Sequence, residues 1–246
     1  MIRIGIADYG MNCWYGGFYD YAARMDEIKA IGYDGIERLR ATEPSEVLRK
    51  AALLAERGMD FGTVESTDIE QSIQWTAAFR KSYMWCNVLQ TRSLDEYIRR
   101  VNYQAAACRK YGICPAIHNH LGSVVESQEE LERFLAACPD AGMILDIGHL
   151  GAAGGNVPEI FDRYYDRIRA IHLKDWKLDA ENAVWLGKGY FCALGEGELV
   201  EENRYVVEQC VKRGYSEWIF VEQDTHLREP LLDLEDSRKL IAKWGA

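Results

Sequence analysis

All five histidines of the chain, His118, His120, His149, His172 and His226, lie beyond position 117, and the carboxylates Asp146, Asp175 and Glu222 are interleaved with them. Imidazole nitrogens and carboxylate oxygens are the donors that a borderline divalent cation such as Mn²⁺, Zn²⁺, Co²⁺ or Fe²⁺ accepts. A single histidine is more often an ordinary hydrogen-bonded residue than a ligand, so it is the grouping that points to one bound metal ion. His118 and His120 stand two residues apart. On an extended strand that spacing turns both imidazoles to one side and Asn119 to the other. Imidazole titrates near neutral pH, so the pair also offers a base or a proton donor. The chemistry open to such a set is Lewis-acid catalysis, in which a bound cation polarises a substrate oxygen and stabilises the negative charge that develops on it while a nearby side chain moves a proton.

These groups act together only if the fold gathers them. Short apolar runs recur at 2–6, 35–38, 61–64, 84–89, 113–118, 142–146, 169–172 and 218–222. Between most of them lie apolar residues at helical spacing, such as Leu94, Tyr97, Ile98, Val101, Ala105 and Cys108. Ser127 with Glu130 three residues on reads as a capping box, and Gly32, Gly58, Gly112 and Gly214 each close a helical stretch just before a strand. Strand and helix therefore alternate, which implies a parallel sheet; eight repeats without a central reversal favour a closed (β/α)₈ barrel of one domain over 1–246. The strand ends of such a barrel converge at one mouth, and the histidines and carboxylates all fall at or just beyond the ends of the last four runs. Gly151, Gly154 and Gly155 lack the order of a dinucleotide-binding fingerprint. Positions 66–82 leave little room for a loop and a helix, so that side of the barrel is expected to be trimmed. Trp75, Phe79, Tyr83 and Trp85 read as core. Tyr9, Trp14, Tyr15 and Phe18 follow the first strand, where rings could stack on a polyol or form a hydrophobic lid.

A net charge of −10 spread along the chain argues against a nucleic-acid partner, which would need a basic patch. Seven cysteines without CxxC spacing fit reduced thiols, and no long apolar stretch marks a leader or a membrane anchor. A cytoplasmic protein acting on a small molecule is expected, with self-association left open.

The segments that hold these residues resemble the xylose-isomerase-like barrel superfamily of sugar phosphate isomerases and epimerases, nearest its inosose dehydratase branch. The words that carry the resemblance are Gly32-Tyr33-Asp34-Gly35-Ile36-Glu37, Ile117-His118-Asn119-His120-Leu121-Gly122, Leu145-Asp146-Ile147-Gly148-His149, Ile171-His172-Leu173-Lys174-Asp175, Gly195-Glu196-Gly197, Gly214-Tyr215 and Val221-Glu222-Gln223-Asp224. The resemblance implies that Asp146, His172 and Glu222 hold a divalent metal, with Glu222 also beside the reacting carbon. His118 stands where many relatives carry a liganding glutamate, and Glu126 on the following loop competes with it for the remaining ligand position. His149 is implied to face the substrate, while Lys174 and Asp175 line the rim or form a salt bridge that fixes their loop. Gly195 and Gly197 are read as a turn around Glu196. The expected catalytic groups are thus Glu222, His120, His149 and Lys174, and the expected substrate contacts Trp14, Glu126 and Asp175. A carbohydrate isomerase or epimerase acting on a sugar or inositol-derived ketone ranks first and an inosose-type dehydratase second. A silent sugar-binding subunit and an abasic-site endonuclease follow.

Overall fold

The computed structural model describes residues 2–8, 20–86, 91–181 and 188–246. Each of the eight apolar runs forms a strand: β1 (Arg3–Ile6), β2 (Gly35–Arg40), β3 (Asp60–Glu65), β4 (Tyr83–Trp85), β5 (Cys114–His118), β6 (Gly142–Asp146), β7 (Ile168–Leu173) and, after a hairpin of β8 (Asp175–Leu178) and β9 (Gly189–Cys192), β10 (Trp218–Val221). The eight are parallel and run in the order β3-β2-β1-β10-β7-β6-β5-β4. The barrel is nearly closed, with its seam between β3 and β4. There Gly62 lacks a side chain where a Cβ would come within 2.6 Å of the Tyr83 hydroxyl.

Nine helices appear among the described residues: α1 (Tyr21–Ile31), α2 (Pro44–Glu56), α3 (Ile69–Ala78), α4 (Leu94–Arg109), α5 (Gln128–Ala137), α6 (Ile147–Ala152), α7 (Val157–Arg163), α8 (Val200–Arg213) and α9 (Pro230–Lys243). Their starts are set by short polar side chains that accept otherwise unpaired N–H groups, as Asp20, Asp68, Ser93 and Asn156 do. Ser127 and Glu130 form the reciprocal capping box. Gly32, Gly58, Gly112 and Gly214 all have positive φ, the left-handed turn that stops a helix before the next strand. The third βα unit is short but complete, since α3 fits between Asp68 and Phe79. Inside the barrel, Tyr83, Ala116, Ile144, Ala170, Trp218 and Phe220 pack as one buried cluster. The larger cluster lies between sheet and helices. No disulfide forms among the described cysteines, and no described helix is long and apolar enough to cross a membrane.

The hairpin of β8 and β9 was not foreseen from the sequence. Asp175 anchors it: its carboxylate, fully buried, accepts N–H bonds from Trp176, Gly195, Gly197 and Leu199 at 2.9–3.0 Å. The Gly195-Glu196-Gly197 turn exists to make this approach, because a Cβ on Gly197 would stand 2.3 Å from Asp175 Oδ1 and 2.4 Å from the Trp176 carbonyl oxygen. A carbonyl fixed in the chain cannot step aside as a side-chain tip can. Gly197→Ala is therefore expected to cost about 1–3 kcal/mol, the usual range for overpacking. Urea unfolding monitored by tryptophan fluorescence measures it; an unchanged midpoint would show that the turn tolerates the methyl group.

Candidate metal centre

The register of the sheet decides which side chains meet. Asp146 at the end of β6 lies directly beside His172 of β7, and the main chain of Glu222 continues the β10–β7 ladder by donating to the Leu173 carbonyl at 3.0 Å. His118 ends β5 on the other flank. His118, Asp146, His172 and Glu222 thereby each offer one ligand atom within 4.8 Å of the others. Asp146 Oδ2 is 3.2 Å from His118 Nε2 and 3.5 Å from His172 Nδ1, and Glu222 Oε2 is 2.9 Å from His172 Nδ1. The second oxygen of Asp146 accepts the His149 N–H at 2.7 Å as the cap of α6, so one carboxylate both faces the cluster and starts a helix.

Two buried asparagines hold the strand ends. Asn119 donates to the Asp146 carbonyl and accepts the Asp146 N–H, both at 2.9 Å. Asn203 on α8 does the same for Lys174, accepting its N–H at 3.2 Å and donating to its carbonyl at 3.0 Å. Each amide thus satisfies both backbone groups of a site residue where no ladder partner is available.

Lys174 is 1% exposed. Its stem passes Gly148, where a Cβ would lie 2.7 Å from Lys174 Cβ, and its ammonium reaches Glu222 Oε2 at 3.1 Å and Asp224 Oδ2 at 2.7 Å. His149 Nε2 is 3.1 Å from the same ammonium, while His149 Nδ1 accepts the Leu121 N–H at 3.2 Å. Lys174 is therefore tied to Asp224 and Glu222, and Asp175 to the hairpin turn, so the two do not pair with each other.

Electrostatics follow from burial of so many charges together. Burial opposes charge on His172, yet the carboxylates of Glu37 and Glu222 outweigh it and hold this imidazole well above its ordinary range. Burial alone would raise Asp146 and Glu222, but neighbouring Lys174 with His149 or His172 pulls both well below the usual carboxylate range. Burial keeps His118, His120 and His149 below the ordinary histidine value. Two imidazoles and two carboxylates converging in this way fit a borderline divalent cation in both donor type and number. His118, Asp146, His172 and Glu222 could hold it, and Glu37, 2.9 Å from His172 Nε2, would keep the proton on that nitrogen and leave Nδ1 to ligate.

The remaining expected residues are placed as follows. His120 is half-buried, packs tilted against His149 with ring centroids 3.8 Å apart and donates from Nδ1 to the Leu121 carbonyl. Glu126 accepts the Gly122 N–H at 2.6 Å across its own loop and is not among the four converging residues. His226 joins Asp233 at the start of α9, away from the other four histidines. Trp14 lies outside the described residues, as do Tyr9, Tyr15 and Phe18. Three groups were missed. Glu37, at the end of the Gly32–Glu37 segment, contacts His172 Nε2. Trp85, read as core, packs against the His118 and His172 rings at 5.0 and 6.0 Å. Asp224, two residues beyond Glu222, is the ion-pair partner of Lys174.

A parallel barrel with a histidine and carboxylate cluster at the C-terminal mouth defines a structural class, and comparison places the chain in it. The family model described as xylose isomerase-like TIM barrel matches residues 25–244, and the chain belongs to that family. It is 32% identical over 155 residues to the inosose dehydratase of Bacillus licheniformis, covering 57% of this chain and 51% of that one. The inosose dehydratase of Bacillus velezensis is 27% identical over 224 residues, 85% of this chain and 71% of the relative. The chain spans about half the length of the first of these relatives. Among solved structures, the probable 3-DHS dehydratase AsbF from Bacillus anthracis superposes with a TM-score of 0.73 at 14% identity, covering 98% of this chain and 99% of that one. A likeness at that identity is one of fold.

Of the two candidates for the remaining ligand, His118 lies with the other three donors and Glu126 does not. Calorimetric titration with Zn²⁺ is expected to show His118→Ala weakening affinity by more than the roughly 10 to 100-fold typical of residues that only support a ligand, and Glu126→Ala leaving it nearly unchanged. The reverse pattern would remove His118 from the centre.

Proposed function

We propose that this protein is a divalent-metal-dependent enzyme that removes the proton α to the carbonyl of a small polyhydroxylated ketone, of the inosose type, and expels the β-hydroxyl as water. The observation that carries the proposal is the convergence of His118, Asp146, His172 and Glu222 at the mouth of the barrel. When bound, the cation supplies Lewis acidity that polarises the carbonyl and stabilises the negative charge of the enediolate. The names of the sequence relatives favour loss of water over the isomerase or epimerase outcome that the sequence placed first; both pass through the same proton abstraction.

Glu222 accepts the carbon-bound proton. Its Oε2 is held by His172 and Lys174, so the carboxylate is fixed and kept ionised before substrate arrives. Lys174 returns a proton to the departing hydroxyl, so that the substrate loses one proton and one hydroxide in total. Its ammonium is positioned by Asp224 and backed by the Phe191 ring at 4.3 Å. His149 and His120 form the imidazole wall beside it and orient the substrate hydroxyls. Trp14 belongs to the same proposal as a stacking residue. Asp175 and Glu126, whose carboxylates serve main-chain N–H groups, act on substrate through the loops they hold. The net charge of −10 keeps nucleic acid out of the partner set, and the free thiols fit a cytoplasmic protein.

Incubation of the metal-loaded protein with scyllo-inosose in D₂O tests the assignment. The wild type is expected to wash deuterium into the α position and to lose water, and Glu222→Gln to slow the exchange by about 10² to 10⁴-fold, the usual contribution of a positioned general base. Exchange within about threefold of wild type would contradict the role. Exchange with an epimer and no dehydrated product would return the isomerase or epimerase reading to first place.

A further inference from the structure

A cavity of about 590 Å³ opens at the ends of β2, β3 and β4, lined among others by Arg40, Thr42, Lys50, Glu65, Ser66 and Trp85. Trp85 is the wall it shares with the metal centre, since the same indole packs against the His118 and His172 rings. We propose that this cavity is a second subsite, and that it binds the non-reacting part of an extended, uncharged substrate: a hydroxylated ring joined to the one that reacts. The inference rests on the function proposed above for the place of the reacting ring.

Size and charge both point to that ligand class. The volume falls within the roughly 300–1,000 Å³ of pockets that take ligands well beyond one small ring. Both cations among the described lining residues, Arg40 and Lys50, are already neutralised from within the chain. Arg40 Nε is 2.7 Å from Asp8 Oδ2 and 3.0 Å from Glu65 Oε2, and Lys50 Nζ is 2.7 Å from Glu46 Oε1. Arg38, whose guanidinium lies 3.8 Å over the Trp85 ring, is paired with Asp8 at 2.7 Å. A phosphate ester would have to compete with these carboxylates for each cation and would face their charge. A neutral polyol would not.

Hydrogen bonding favours the same occupant. Thr42, Ser66 and Thr67 bring hydroxyl groups to the cavity. Two buried donors near it, Trp85 Nε1 and Arg38 Nη2, have no hydrogen-bond partner among the described residues. Leaving a buried donor unpaired costs about 1–3 kcal/mol, and sugar hydroxyls can relieve that cost while the indole face covers an apolar ring edge.

Calorimetry on the metal-loaded full chain decides the matter with three probes: myo-inositol, the neutral glycoside galactinol and myo-inositol 1-phosphate. Galactinol is expected to bind at least about tenfold more tightly than myo-inositol, equivalent to roughly 1.4 kcal/mol, and the phosphate no more tightly than myo-inositol. Thr67→Trp, which fills the cavity, and Trp85→Phe, which deletes one donor while keeping a ring, should each erase most of the galactinol advantage in protein whose thermal melt shows it folded. Equal affinity for galactinol and myo-inositol, or tighter binding of the phosphate, overturns the subsite. So does an advantage that survives both substitutions. Deuterium exchange on scyllo-inosose separates the two ideas: exchange without a galactinol advantage refutes the subsite and leaves the proposed reaction standing, whereas the advantage without exchange refutes the reaction and keeps the subsite.

Discussion

Everything at the mouth of this barrel follows from the burial of carboxylates. Glu37, Asp146 and Glu222 are at most 4% exposed, and an ionised carboxylate taken out of water costs several kcal/mol unless it is paired and hydrogen-bonded. The chain meets that constraint with Lys174 and with His172, whose imidazole the carboxylates of Glu37 and Glu222 hold well above its ordinary range against the effect of burial. A divalent cation among His118, Asp146, His172 and Glu222 would meet it more fully. The arrangement is thus ordered before any ion or substrate arrives, which is what electrostatic preorganisation requires.

The surrounding fold serves this pairing in detail. The β6–β7 register brings Asp146 to His172, Gly148 leaves space for the Lys174 stem, and Asn119 and Asn203 satisfy the main chain where the ladders end. Asp175 acts at a distance from the chemistry: by gathering four N–H groups it ties the start of β8 to the segment that follows β9, beside Phe191, whose ring packs against His149 and the Lys174 ammonium.

Much of this was legible in the sequence, for identifiable reasons. Strand runs, turn glycines and the Ser127 cap depend on local propensity and periodicity, so all eight barrel strands and the four αβ turns appear where the residues suggest them. The four converging donors sit at strand ends, where barrel geometry alone brings them together. What stayed hidden depends on contacts distant in sequence. Glu37 reaches His172 across 135 positions, and nothing local distinguishes it from a surface glutamate. Trp85 has the composition of a core residue, and only its neighbours show that it stands between the four converging donors and the cavity at the ends of β2, β3 and β4. The hairpin after β7 follows from Asp175 serving as a turn anchor, a use that an aspartate beside a lysine does not advertise.

The central claim is that the four donors form one metal centre. Crystals grown with Zn²⁺ and measured on both sides of the zinc absorption edge test it most directly. The expected result is a single anomalous peak about 2.0–2.2 Å from a nitrogen of His118, a nitrogen of His172 and an oxygen each of Asp146 and Glu222. A peak held by Glu126 and not His118, or no peak between β5 and β10 in protein saturated with zinc, would contradict the account.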